Sequence, residues 1–331
     1  VNRLRGGRAS SRGPAQPEAG NPAGHAFVPA AAQPVNTSHP THVIGNGTPG
    51  SCTSAAVVAA VAAGGIITFS CGPSPVTITM QATAKVVNTS AEVVLDGGGK
   101  VTLSGGGERR ILYIDTCDPS QHWTTSHCQN QAEPQLVVQN MAFTAGDSTG
   151  QTYDGGGGGA IFDRGGELKV INSTFLDDRC DATGPDLGGA AIRALSQYND
   201  QPVYIVRSTF RGGVCSNGGA PSIGVSWVVL NSLMTGNQAI GWGANPASSG
   251  TPGGGSGAAI YTDGDSYALT VAGSVIEATP RAKAAGRSSS SATTTPAPCT
   301  SGVRPCATTP VRASRPPATR GSSSTARATR S

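Results

Sequence analysis

Asp177-Asp178 is the only adjacent pair of aspartates in this 331-residue chain. Two neighbouring carboxylates can divide acid and base duty in catalysis, or together hold a hard cation such as Ca2+. The repeat register set out below puts Ala145-Gly146 on one side of the pair and Gly212-Gly213 on the other. Small residues on both sides leave a cleft in which both carboxylates face a substrate or a metal ion. The same register sets Arg179 beside Asp147, so the cluster also reads as a cross-rung ion pair of small energetic value. A second candidate is the segment 115–133, where Cys117 and Cys128 bracket His122, Trp123 and His127. An exposed Trp in a stapled loop stacks on a sugar ring; the competing reading packs Trp123 against the body. His122 and His127 offer two ligands, fewer than a zinc site needs. Gly-rich stretches at 147–158 and 236–256 could cradle an anion, but the strand–loop–Lys–Ser/Thr order of a phosphate loop is missing.

These residues are positioned by a repeat. Five segments superpose: Leu136-Val-Val-Gln-Asn-Met-Ala-Phe143, Leu168-Lys-Val-Ile-Asn-Ser-Thr-Phe175, Val203-Tyr-Ile-Val-Arg-Ser-Thr-Phe210, Trp227-Val-Val-Leu-Asn-Ser-Leu-Met234 and Leu269-Thr-Val-Ala-Gly-Ser-Val-Ile276. Positions one, three and eight are apolar in each, the alternation of a strand with one buried face. Asn140, Asn172 and Asn231 recur at position five. Asn tolerates the left-handed backbone of a bend there, and equivalent amides can bond from rung to rung. Gly-Gly-Ala160-Ile161, Gly-Ala-Ala191-Ile192 and Gly-Ala-Ala259-Ile260 form a second recurring element. Strand starts lie 32, 35, 24 and 42 residues apart, which suits a coil of fixed size carrying loops of varying length. A propeller blade needs four strands per repeat, and a leucine-rich repeat needs a leucine ladder; neither fits. The expected fold is all-β, a right-handed parallel β-helix over 44–277. Residues 53–63 read as a short helix capping its open apolar end.

Composition agrees. Charged residues make up 13%, aromatics 5%, and Gly fills 47 positions, which excludes a coiled coil or helical bundle. No apolar run approaches the ~20 residues of a membrane span. The net charge of +4 is segregated: residues 278–331 hold nine basic residues and no acid, while 25–277 hold ten Lys/Arg against eighteen Asp/Glu, a net of −8. Basic residues in excess of acid only at two low-complexity ends, around an acidic body, argue against nucleic acid as a partner.

Eight cysteines point to disulfides and an oxidising compartment. Cys52 and Cys71 bracket one segment, Cys117 and Cys128 another. Cys180 and Cys215 each lie five residues after the repeat's Phe. On adjacent rungs they would stand about 4.8 Å apart, inside the Cα separation of about 4.4–6.8 Å that a disulfide accepts. The expected location is therefore secreted or cell-surface, although residues 1–43 read only as a disordered or leader-like segment. Their one apolar stretch, Ala26 to Ala32, is short and holds Pro29, so the true start lies upstream or export takes another route.

The strand-plus-Asn pattern and the Gly-Gly-Ala-Ile element resemble right-handed β-helix proteins of the pectate-lyase-like superfamily. With Met234-Thr-Gly-Asn237, they are also similar to repeats of polymorphic outer-membrane proteins and adhesins. The resemblance implies polysaccharide chemistry along a groove of stacked side chains, with acidic residues for calcium and an Arg or Lys as base. Asp177 and Asp178 would then be catalytic or metal-binding, with Arg193, or else Arg207, as the base. Trp123, Asp147, Arg179 and Tyr261 would contact substrate; Arg193 stands in register with Phe162 and Tyr261. All five His precede residue 128, so the Gly-His-Gly of polygalacturonases has no counterpart.

Residues 278–331 are almost only Ala, Arg, Ser, Thr, Pro and Gly, either a mucin-like tail or β-helix read out of frame. Read from the third base of each codon, Lys283-Ala-Ala-Gly-Arg287 can encode Glu-Gly-Gly-Gly-Ala. Three function classes follow: a non-catalytic binder of polysaccharide or cell-surface glycan, a polysaccharide lyase or hydrolase with a divergent acidic site, and a structural or degenerate β-helix. A monomer is expected. The acidic body disfavours an acidic polymer unless Ca2+ bridges it.

Overall fold

A computed structural model describes residues 18–151, 156–185, 187–222, 225–242, 253–262 and 267–277. The tail 278–331, and with it the out-of-frame reading, lies outside the described residues. Among the described residues three parallel sheets, beside a two-stranded one, build the molecule. Eight strands form the first: His42–Ile44, Gly65–Phe69, Glu92–Asp96, Gln135–Gln139, Glu167–Ile171, Val203–Val206, Trp227–Leu230 and Leu269–Ala272. A seven-stranded sheet runs from Val76–Thr79 to Val275–Ile276, and a five-stranded sheet from Ala84–Lys85 to Pro221–Ser222. Successive coils visit the sheets in turn, so each strand pairs with its equivalent one coil away. This is the expected parallel β-helix.

The register inferred from the repeat is the register observed. Leu136 pairs with Leu168, Trp227 with Leu269, and Phe143 with Phe175 and then Phe210. Inward-facing residues of the three sheets form one apolar core. The phenyl rings of Phe143, Phe175 and Phe210 stack through it, with centroids 4.9 and 4.6 Å apart. Beside them runs a ladder of buried hydroxyls: Ser208 Oγ accepts from Ser173 N, Ser232 Oγ from Ser208 N, and Ser274 Oγ from Ser232 N.

Asn140, Asn172 and Asn231 bend the chain at φ of +52°, +46° and +53°. Asn172 Nδ2 donates to Asn140 Oδ1 at 2.8 Å, and Asn140 Nδ2 to Asp96 Oδ1 at 3.0 Å. Arg207 takes the same bend at φ +46° and interrupts the amide ladder. The helix Ser54–Ala63 starts at Thr53, whose side chain accepts from Ala56 N, and ends at Gly64. Its buried Val57, Ala60 and Val61 close the first coil, as the capping reading requires. All three expected disulfides form, and Cys180–Cys215 has the anticipated Cα separation, 4.8 Å.

Residues 20–41, within the segment read as disordered or leader-like, form a strap laid lengthwise over the outer face of the eight-stranded sheet. That face carries apolar residues on two neighbouring register lines (Val94 and Val137; Ile171, Val206 and Leu230), and Ala26, Val28, Ala32 and Val35 pack against them. Two amides grip the strap's main chain in both directions. Asn231 Nδ2 donates to Ala26 O while Oδ1 accepts from Ala26 N; Gln139 does the same with Val35.

Candidate functional site

Asp177 and Asp178 are adjacent in sequence but sent to opposite sides. Asp177 sits at φ +56°, where the chain turns a corner, and its side chain is exposed over Gly212. Gly212 sits at φ +72°, a conformation that favours glycine. Asp178 is 1% exposed, and its Oδ1 accepts from Gly146 N at 2.8 Å. Burial, opposed by that hydrogen bond and reinforced by the Asp177 charge, raises its pKa well above the carboxylic range. The pair therefore cannot face one substrate or chelate one ion. Ca2+ wants six to eight oxygens, and these residues do not fit it; among the described residues no group of three or more His, Cys, Asp or Glu could hold a metal.

Asp147 and Arg179 are in register, as read, through a backbone bridge. Their side chains form no ion pair: Asp147 Oδ1 accepts from Thr149 N. Arg193 belongs to a different face. It pairs with Phe162 on one side, as expected, but on the other with Ser222, in a two-residue strand missed in the sequence. Tyr261, buried at 8% exposure, is consequently not its immediate neighbour.

The outer face of the five-stranded sheet carries a set of residues absent from the sequence reading. Leu112, Ile161 and Ile192 point into the core, so their successors Tyr113, Phe162 and Arg193 point outward in one line with Lys85. Tyr113 and Phe162 stack at 5.4 Å, and Lys85 Nζ lies 5.2 Å from the Tyr113 centroid. The Arg110 guanidinium lies 4.8 Å from the Phe162 centroid, and its Nε and Nη2 donate to Gly158 O and Gly157 O. Burial lowers its pKa most; Tyr113 opposes this and the Arg193 charge adds to it, leaving about 10.

Carboxylates stand at the other end of the Tyr113 ring. Its hydroxyl is 3.2 Å from Asp115 Oδ2 and 3.1 Å from Asp118 Oδ2. Burial would raise the Asp118 pKa, but hydrogen bonds from Ser120 and Tyr113 and the Lys85 charge outweigh it and hold the carboxyl below its usual range. Thr83, Lys85, Arg110, Tyr113, Asp118 and Gln151 together line an open pocket of about 330 Å³. The loop that supplies Asp118 is the one closed by Cys117–Cys128, and it displays Trp123 at 60% exposure. Packing of that indole against the body is thus ruled out by the fold.

Coils, staples and pocket define a disulfide-bonded parallel β-helix protein with a polar site on one outer face; no helix among the described residues is long and apolar enough to cross a membrane. Compared with known proteins, the chain matches no family model, no curated protein and no solved structure.

Proposed function

We propose that this chain is a secreted or cell-surface β-helix protein, of the pectate-lyase-like kind, that binds glycan without transforming it and acts as a monomer. One observation carries the reading: a loop stapled by Cys117–Cys128 holds the Trp123 indole in solvent and, on the same few residues, places Asp118 in a polar pocket. An exposed indole on a stapled loop that also supplies a pocket carboxylate suits the apolar face and hydroxyl rim of a sugar. Binding to a panel of immobilised polysaccharides, repeated with Trp123→Ala, tests this. Loss of at least about tenfold in affinity is expected; unaltered binding would remove Trp123 from the site.

A polysaccharide lyase is the second reading, favoured by Arg110 alone. A guanidinium with a pKa near 10 beside Arg193 is closer to a usable base than an ordinary one. Release of unsaturated uronate from pectin or alginate would establish it, and complete absence of product from these polymers would set it aside.

A further inference from the structure

Resting on the glycan reading, the pocket on the five-stranded sheet also says which sugars it would take. Among the described residues its lining holds two cations, Lys85 and Arg110, and one carboxylate, Asp118. The carboxylate is already engaged: Oδ1 accepts from Ser120 N and Oγ, and Oδ2 lies in reach of the Tyr113 hydroxyl. Arg110 is not neutralised in this way. It is 5% exposed, its two hydrogen bonds go to uncharged glycine carbonyls, and no carboxylate of the described residues lies within ion-pair distance of it. A buried guanidinium offers five N–H donors in a planar fork, and only Nε and one Nη2 hydrogen are spent here. Aromatic rings beside it supply partial compensation for a cation but no counter-ion. Lys85, exposed on the same ladder, can close on an anion from the solvent side.

We infer that Arg110 and Lys85 form an anion subsite that receives a sulfate ester or carboxylate carried on a sugar ring, directly and without calcium. Gln151, on the same lining, can meet the ring hydroxyls, and Thr83 Oγ1, which donates to Arg110 O, can accept from one. Charge recognition of this kind adds to the stacking surface at Trp123 and selects among glycans that the indole alone would treat alike.

The test is calorimetry in a chelating buffer with sulfated, uronate-bearing and neutral oligosaccharides of equal length, and with inorganic sulfate. Preference for the charged sugars is expected, weakening as salt rises. Lys85→Glu, an exposed substitution checked for folding by circular dichroism, should cut charged-sugar affinity by at least about tenfold, a larger loss than for neutral sugars. Sulfated against uronate arms decide which oxyanion is preferred. Equal affinity for charged and neutral sugars, or indifference of charged-sugar binding to Lys85→Glu, overturns the anion subsite while the glycan reading stands. Sulfate binding that is lost in Lys85→Glu, with no oligosaccharide bound, upholds the subsite and removes the glycan reading instead.

Discussion

Asp178 and Asn237 occupy the same point on two different coils. Each lies three residues after a core-facing side chain of the seven-stranded sheet, Phe175 and Met234, and each accepts from a glycine N–H of the preceding coil: Gly146 for Asp178 and Gly213 for Asn237. Asn237 also donates from Nδ2 to Phe210 O at 3.0 Å. The equivalent atom of Asp178 is Oδ2, which is buried and has no hydrogen-bond partner, and the carbonyl equivalent to that of Phe210 is Phe143's. A neutral Asp178 can donate there as the amide does; an ionised one cannot.

Asp178→Asn should therefore stabilise the fold at neutral pH, because the amide donates there without having to take up a proton, a cost of about 1.4 kcal/mol for each pH unit between the unfolded and folded pKa values. The sign follows from the raised pKa in the folded state. The native protein keeps this proton where the unfolded chain has lost it, so stability falls as pH rises above the ordinary Asp value near ~4. Urea denaturation of parent and variant from acid to neutral pH checks this: the variant's advantage should grow with pH, and a constant difference would show that Asp178 does not change charge.

Removing the middle ring of the phenylalanine stack, Phe175→Ala, leaves a cavity between Phe143 and Phe210 and should cost ~3–5 kcal/mol. Chemical denaturation measures it. Phe210→Leu should cost much less, since most of the volume is kept.

Cys180–Cys215 closes a 35-residue separation between adjacent coils. Replacing both residues by Ser should lower stability by ~2–4 kcal/mol, and a reductant, which also opens the other two disulfides, should lower that of the parent by at least as much. A double variant as stable as the oxidised parent would contradict a structural role.

Asp96 ties the strap to the sheet: it accepts from Thr37 Oγ1, Gln139 Nε2, Asn140 Nδ2 and Gly98 N. Burial pushes its pKa up, but these hydrogen bonds outweigh it and hold the carboxyl low. Its contribution is present above the ordinary Asp range and is lost as pH falls through the lowered folded value. Asp96→Ala, or Gln139→Ala with Asn231→Ala, should loosen the strap, seen as faster proteolysis within 20–41 and dye binding to the uncovered apolar stripe. Unchanged protection would mean that apolar contact alone holds it.

The coils were legible because parallel stacking imposes one spacing on chemically unlike residues. Asn at the bend, Phe at position eight and the matched Cys180 and Cys215 each report the same register independently. The pocket was not legible. Arg110-Ile-Leu-Tyr113 has no Gly-Gly-Ala ahead of it, and Lys85 ends a two-residue strand, so neither shows the repeat that would align them. The Asp-Asp pair misled because adjacency in sequence says nothing of direction once one residue turns the chain left-handed. The strap was missed because Ala and Pro in 26–34 signal nothing by periodicity; the apolar stripe it covers belongs to five other segments.

A stack of coils touching only their neighbours behaves like a zipper, able to open from a free end one tooth at a time. The strap changes that behaviour. Its main chain is fastened at Asn231 and Gln139, and Thr41 N donates to Ile66 O, so it spans the eight-stranded sheet from near one end to near the other. No coil between those points can leave without pulling on the rest, and the molecule should come apart in a single step, like a bundle of slats held by one cord.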